Sequence, residues 1–422
     1  MNGLEDLRAR LAALDQRQLR RTRRIVEGAW TPAARLADLD MLYGAGREVL
    51  AFCSNDYLGL ASHPAVVEAL AAGARRFGAG SGASPLISGH NAAHHDLEAR
   101  FAATQSAHIP AARALHFGTG YLANLAVISA LADRETEVFS EELNHASLID
   151  GIRLAYARRR VYPHADADAL DAMLRASTAR RRVIVTDAVF SMDGDLAPLS
   201  GLLALAERHD AWLVIDDAHG FGVLGPGGRG SLAHFGLHSD RIVYMATLGK
   251  AMGVGGALVC AHEDVIEWLI QRARPYIYST AAPPALAAAV AAAFDIALGA
   301  EGEALRATLR AHVARLQAGF PGSPPPDAAQ AVALQGGAGG PGGIWRLLSS
   351  PTPIQPIVVG GNEAALALAA ALLDRGIWVP AIRPPTVPEG TARLRVTLSA
   401  AHTAEQVERL AAVLRDLAAR PG

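Results

Sequence analysis

Residues 212–220 read Trp212-Leu213-Val214-Ile215-Asp216-Asp217-Ala218-His219-Gly220, four apolar residues running straight into two acids, a histidine and a glycine. A strand apolar on both faces has to be covered on both faces, and that is the condition of a parallel sheet flanked by crossover helices. The surrounding sequence repeats the pattern. Val183-Ile184-Val185-Thr186 reads as the preceding strand, with a helix over 199–209 in between. Arg241-Ile242-Val243-Tyr244-Met245 and Gly256-Ala257-Leu258-Val259-Cys260 follow as further strands. Residues 110–260 are therefore expected to form an α/β unit around a large, mostly parallel sheet.

Beyond it, residues 283–316 are Ala-rich and helical in pattern, broken near Gly299 and Gly302. Residues 322–343 hold Ser323-Pro324-Pro325-Pro326 and a run of glycines from Gly336 to Gly343, a composition with nothing to pack, read as a flexible insert. Strands at 355–359, 378–379 and 393–398, with helical stretches at 362–375 and 403–419, make a smaller α+β domain. The expected division is an N-terminal helical segment over 1–60, a large domain over 61–290 and a small domain over 291–422. Leu4, Leu7, Leu11, Leu14 and Leu19 fall near helical spacing and suggest an amphipathic helix docked on the body.

Composition excludes several classes. The 422 residues are 51% hydrophobic, too apolar for a disordered chain, and 39 basic against 41 acidic residues leave a net charge of −2. No global positive field exists to hold nucleic acid or an anionic membrane. Cys53 and Cys260 cannot build a disulfide framework, which fits a reducing compartment. No continuous apolar run reaches the length of a membrane span. Arginines crowd residues 8–24, but Glu5, Asp6 and Asp15 interrupt them, unlike an acid-poor transit peptide, so a cytoplasmic location is expected.

The turn Phe117-Gly118-Thr119-Gly120-Tyr121-Leu122-Ala123 fits G-x-G-x-x-A and opens a helix. It would place backbone N–H groups at a helix N-terminus, where any phosphate is held. Glu137, Glu141 and Glu142 lie near the distance of a ribose-binding acid, which keeps a dinucleotide-dependent oxidoreductase open. Asp216 and His219 stand beyond a strand's carboxyl end, where open α/β sheets bind ligands. Ser191-Met192-Asp193-Gly194-Asp195 turns at the same edge. Lys250, in Thr247-Leu248-Gly249-Lys250, is distinctive because the chain has very few lysines, and an amine forms a Schiff base where a guanidinium does not. His90, His94 and His95 lack a further ligand set at a recognised spacing, so no metal is expected.

These residues carry a resemblance. Ser54-Asn55-Asp56-Tyr57-Leu58-Gly59-Leu60, Gly80-Ser81-Gly82, Asn144-His145-Ala146-Ser147, Phe190-Ser191-Met192-Asp193-Gly194, Asp216-Asp217-Ala218-His219-Gly220 and Thr247-Leu248-Gly249-Lys250 together resemble the α-oxoamine synthases, fold-type I pyridoxal-phosphate enzymes, over about residues 15–415. Ala251 stands where glycine is common, and the insert at 322–343 is longer than usual. The resemblance implies pyridoxal phosphate as cofactor, Lys250 as its attachment and the base at Cα, Asp216 on the pyridine nitrogen, and His145 against the ring. It implies His219 and Ser191 at the phenolic oxygen, Gly120 and Tyr121 near the cofactor, Thr247 at the phosphate, and Ser279 or Thr280 from a second subunit of a homodimer. Arg383 would clamp the amino-acid carboxylate, with Arg24, Asn55, His145 and Thr386 as further substrate contacts. Ile382-Arg383-Pro384-Pro385-Thr386-Val387-Pro388 resembles the members that condense L-alanine with a pimeloyl thioester, pimeloyl-CoA or pimeloyl-carrier protein, in biotin synthesis. The alternatives are the glycine-using sisters, 2-amino-3-oxobutyrate ligase and 5-aminolevulinate synthase.

Overall fold

The computed structural model describes residues 3–37, 46–320 and 345–419, so the insert expected at 322–343 lies outside the described residues. The chain divides into two compact units, Asp56–Ser191 with Asp195–Ala307, and Met1–Asn55 with Met192–Gly194 and Thr308–Gly422. The segment read as N-terminal, over 1–60, thus groups through Asn55 with the C-terminal part of the chain.

The larger unit is built on seven strands: β1 (Ala112–Phe117), β2 (Thr136–Glu141), β3 (Arg158–Tyr162), β4 (Arg181–Asp187), β5 (Trp212–Asp216), β6 (Ile242–Thr247) and β7 (Ala257–His262). Their spatial order is β1-β7-β6-β5-β4-β2-β3. The pairs β2–β3, β2–β4, β4–β5 and β5–β6 are parallel, and β7 alone runs antiparallel, to β6 and to β1. Val183, Ile184, Val185, Leu213, Val214 and Ile215 are all buried, as their unbroken apolar pattern requires. Helices supply the cover: α1 (Ala92–Gln105), α2 (Gly120–Leu131), α3 (Ala146–Leu154) and α4 (Leu199–Arg208). Val127, Ile128, Leu148 and Ile152 of α2 and α3 join Val138, Val185 and Val214 of the sheet in one core.

This topology decides where a ligand binds. β2, β4, β5 and β6 all end on one edge, and β1, antiparallel to β7 like β6, delivers Phe117 to that edge too. The turns after Glu141, Asp187, Asp216, Thr247 and Phe117 therefore converge.

The smaller unit has two four-stranded sheets. In one, Ala33–Leu36 pairs antiparallel with Arg47–Ala51, which takes Ile377–Trp378 as a parallel neighbour. In the other, Ile354–Gly360 and Ala392–Thr397 form the antiparallel centre. The N-terminal helix exists, over Gly3–Gln16, but the expected docking of its leucines does not follow: Leu4 is 65% and Leu7 55% exposed. No single helix among the described residues is long and apolar enough to cross a membrane.

Candidate active site

At the convergent edge an open cleft of about 510 Å3 is lined by Gly120, Tyr121, His145, Ser191, Asp216, His219, Thr247 and Lys250, among others. Eight of the residues singled out in the sequence thus share one cavity.

Asp216 closes β5, and both its oxygens are held. Asn124 Nδ2 donates to Oδ2 at 2.6 Å and the Ala218 backbone N–H donates to Oδ1 at 2.9 Å. Asn124 Nδ2 also lies 2.9 Å from Ser147 Oγ, which sits 2.7 Å from His145 Nδ1. Because the Ser147 backbone N–H donates to that same Nδ1 at 3.3 Å, Nδ1 is an acceptor and the ring carries its hydrogen on Nε2. The pKa of His145 lies below its ordinary value, first through burial and also through the Lys250 charge, against the pull of Asp216. A neutral imidazole is the form suited to lie against an aromatic ring.

Asp187 ends β4 opposite Asp216 in the parallel register and accepts the His145 backbone N–H at 3.0 Å. Burial, and then the Asp216 charge, raise its pKa well above the carboxylate range. On the cleft's other side Lys250, the sole lysine of the chain, places Nζ 2.7 Å from His219 Nε2. His219 Nδ1 lies 2.5 Å from Tyr57 Oη, and Tyr57 is fully buried.

The glycine turn opens α2 with Thr119 as N-cap, its Oγ1 accepting the Leu122 N–H at 3.2 Å. Gly120 and Tyr121 follow with the first-turn amides that have no intrahelical partner. A Cβ on Gly120 would stand 3.6 Å from Thr247 Oγ1 and from Met245, so the glycine keeps open the gap between helix start and strand end.

This donor set fits pyridoxal phosphate. There is an amine for its aldehyde, an oriented carboxylate for its pyridine nitrogen, a neutral imidazole for its face, and a helix N-terminus with a hydroxyl for its phosphate. Tyr57, Asn124, Ser147 and Asp187 were not assigned roles from the sequence, although Tyr57 and Ser147 lie inside motifs quoted above and Asn124 directly follows the glycine turn. Asp187 had a readable signal: like Asp216, it is an acid closing an apolar strand.

Other expectations fall elsewhere. Ser279 and Thr280, expected at the cleft of a second subunit, line a separate pocket of their own chain with His90, His94, Glu98 and His116. The acids proposed for a ribose are engaged. Glu137 takes the Ser177 hydroxyl, Glu141 takes His164 Nδ1 at 2.6 Å, and Glu142 takes the His164 backbone N–H at 3.3 Å. His94 uses both nitrogens, accepting the Asn91 N–H at 3.1 Å and bonding Ala282 O at 2.9 Å. The donor atoms of His90, His95 and Glu98 gather within 4.8 Å of one another, Glu98 being a third group absent from the histidine reading.

In the smaller unit, Arg383 donates to the carbonyl oxygens of Gln18 and, at 3.5 Å, Arg20. Thr386 N–H bonds Arg383 O at 3.1 Å, and Asn55 Oδ1 accepts from Arg395 at 3.0 Å. Burial pushes the Cys53 thiol up to about 12, against the charges of Arg395 and Arg24.

Comparison with known proteins converges on one group. The profile of aminotransferase class I and II matches residues 47–414. An 8-amino-7-oxononanoate synthase from Bordetella petrii is 57% identical over 417 residues, covering 99% of this chain and 98% of that protein. The solved structure of serine palmitoyltransferase from S. paucimobilis, with a bound PLP–myriocin adduct, aligns at TM-score 0.83 and 26% identity, covering 97% of this chain and 96% of the other. That of 8-amino-7-oxononanoate synthase from Francisella tularensis aligns at TM-score 0.69 and 28% identity, covering 87% of this chain and 97% of the other.

Proposed function

Because the chain belongs to the 8-amino-7-oxononanoate synthase family, within the aminotransferases of class I and II, we propose that it condenses L-alanine with a pimeloyl thioester. The products are 8-amino-7-oxononanoate, carbon dioxide and the free thiol. The chain is a pyridoxal-phosphate-dependent acyltransferase of fold-type I, and the observation that carries the reading is Lys250 and Asp216 opening on one cleft.

Pyridoxal phosphate, when bound, supplies a protonated pyridine ring that withdraws the electron pair left at Cα of the amino acid. Asp216, held by Asn124 and the Ala218 N–H, keeps the proton on the pyridine nitrogen. Lys250 would hold the cofactor through its amine and would serve as the base for the Cα proton of alanine. Its contact with His219 Nε2 gives the amine a route to shed or regain a proton. His145, in neutral form, would support the face of the cofactor ring, and His219 and Ser191 would bond its phenolic oxygen. The Gly120 and Tyr121 amides with Thr247 would hold its phosphate.

Arg383 binds the alanine carboxylate as a planar fork, with Arg24, Asn55 and Thr386 as further substrate contacts. The active form is a cytoplasmic homodimer in which Ser279 or Thr280 of the partner subunit reaches the phosphate. The acyl donor is pimeloyl-CoA or a pimeloyl-carrier protein.

The test is turnover of the cofactor-loaded protein with pimeloyl-CoA, and separately with the carrier-bound acyl group, each with L-alanine and with glycine. Product identified by mass at 8-amino-7-oxononanoate with alanine supports the reading. Equal or faster thiol release with glycine moves the assignment to a glycine-using sister.

A further inference from the structure

His164 lies outside the cleft, between the two turns that bring His145 and Ser191 into it. Its Nδ1 is 2.6 Å from Glu141 Oε1 and its Nε2 is 2.8 Å from Asp195 Oδ2. An ionised carboxylate only accepts, so a ring that meets one at each nitrogen donates twice and is an imidazolium. The ring stands edge-on to Phe190, centroids 4.5 Å apart.

Each carboxylate is committed to one cofactor-facing turn. Glu141, 1% exposed, ends β2; its Oε2 accepts the Leu143 N–H, and its backbone oxygen accepts the Asn144 N–H at 3.4 Å. That turn delivers His145, the N-cap of α3. Asp195 closes the other turn: its backbone oxygen accepts the Phe190 N–H at 3.0 Å, and Val189 bridges Leu196 beside it. Ser191 sits within this hairpin. Asp195 Oδ1 is buried without a hydrogen-bond partner, so the carboxylate is held chiefly through its other oxygen, by His164. The His164 backbone is itself pinned, its N–H on Glu142 and the Ala165 N–H on Glu141 Oε1 at 3.2 Å, with Ala165 at φ +54°.

We propose that His164 is a positioning residue: its imidazolium clamps the His145 turn to the Ser191 hairpin and so fixes the separation of two cofactor contacts it does not itself touch. A neutral side chain there would leave Glu141 and Asp195 as facing, poorly paired carboxylates, and the two turns would part. The proposal rests on the assignment of Ser191 and His145 to the cofactor.

The test is a double-mutant cycle on cofactor affinity, read from the visible absorbance of the full-length protein titrated with pyridoxal phosphate. His164→Gln should raise the cofactor Kd about tenfold or more, and Ser191→Ala should add little in that background, because the clamp and the hydroxyl act as one unit. His164→Arg, which keeps the charge and two donors, should recover most of the affinity. Should His164→Gln fold poorly, Asp195→Asn cuts the same contact from the hairpin side and should give the same non-additivity with Ser191→Ala. Wild-type affinity in His164→Gln, or losses that multiply independently, overturns the clamp. Wild-type affinity in both Ser191→Ala and His145→Ala removes the underlying assignment of the cleft, and the clamp with it; that outcome is distinct because it appears with His164 intact.

Discussion

Lys250 Nζ and His219 Nε2 are 2.7 Å apart, and the opposite nitrogen of that imidazole is 2.5 Å from the buried Tyr57 hydroxyl. The sole lysine of the chain therefore sits at the end of a three-membered hydrogen-bonded chain rather than in open solvent. A proton leaving Nζ has an imidazole to go to, and the hydroxyl at the far side can stabilise either tautomer.

Lys250→Ala and Lys250→Arg should each lower turnover by about a thousandfold or more, since neither offers an amine that can both hold an aldehyde and exchange a proton. The chain's single lysine makes a second check direct. Borohydride treatment of the cofactor-loaded wild type should add the cofactor mass to the peptide containing Lys250 and to no other internal peptide. Mass on another internal peptide, or normal turnover in either variant, would refute the assignment.

Tyr57→Phe removes the hydroxyl from His219 Nδ1 and leaves the Lys250 contact at Nε2 in place. The expected result is a fall in kcat of about tenfold with cofactor affinity nearly unchanged, because Tyr57 acts on the lysine's partner. An equal loss of cofactor affinity would place Tyr57 in binding instead. The measurement is kcat beside a cofactor titration of the same preparation.

Asp216→Asn should lose most activity, by about a hundredfold or more, as a neutral amide no longer favours a protonated pyridine nitrogen. Asn124→Ala should reproduce part of that loss with Asp216 intact, because it removes the 2.6 Å donor that orients the carboxylate. Full activity in Asn124→Ala would show that the Ala218 N–H alone suffices. Steady-state rates for the two variants and their double settle this.

Much of this arrangement was legible in the sequence because the sheet edge collects residues adjacent to strand ends. Asp216, His219, Thr247 and Lys250 each lie within four positions of a strand terminus, so locating the strands located the cleft. Asn124 and Ser147 were not readable as partners of Asp216 and His145, since they come from helix starts whose juxtaposition depends on how α2 and α3 pack together. The exposure of Leu4 and Leu7 was hidden for a related reason: helical spacing shows that leucines share a face, not that anything covers it. Glu141 fits the spacing of a ribose acid, but distance along the chain cannot reveal that His164 claims it.

That claim gives the pH dependence of the fold. Burial alone would lower the pKa of His164, but the hydrogen bonds and charges of Asp195 and Glu141 outweigh it and push it up to about 10. The groups facing the ring are Glu141 at the end of β2 and Asp195 on the hairpin, with Glu142 on the backbone N–H. A histidine whose folded pKa is raised binds its proton more tightly in the native state. The stabilisation is therefore full below the ordinary value of 6.5 and drains away as pH rises toward and through about 10. The buried carboxyls of Glu98 and Asp217, each pushed up to about 7 chiefly by burial, titrate below most of that window. Their effect is shared by a variant that lacks the clamp. The melting temperature of wild type should accordingly fall more steeply between about pH 7 and 10 than that of His164→Gln, so that the two curves converge at the alkaline end. Parallel curves across that range would mean that His164 carries no extra proton in the folded state and that its two carboxylates are paired some other way.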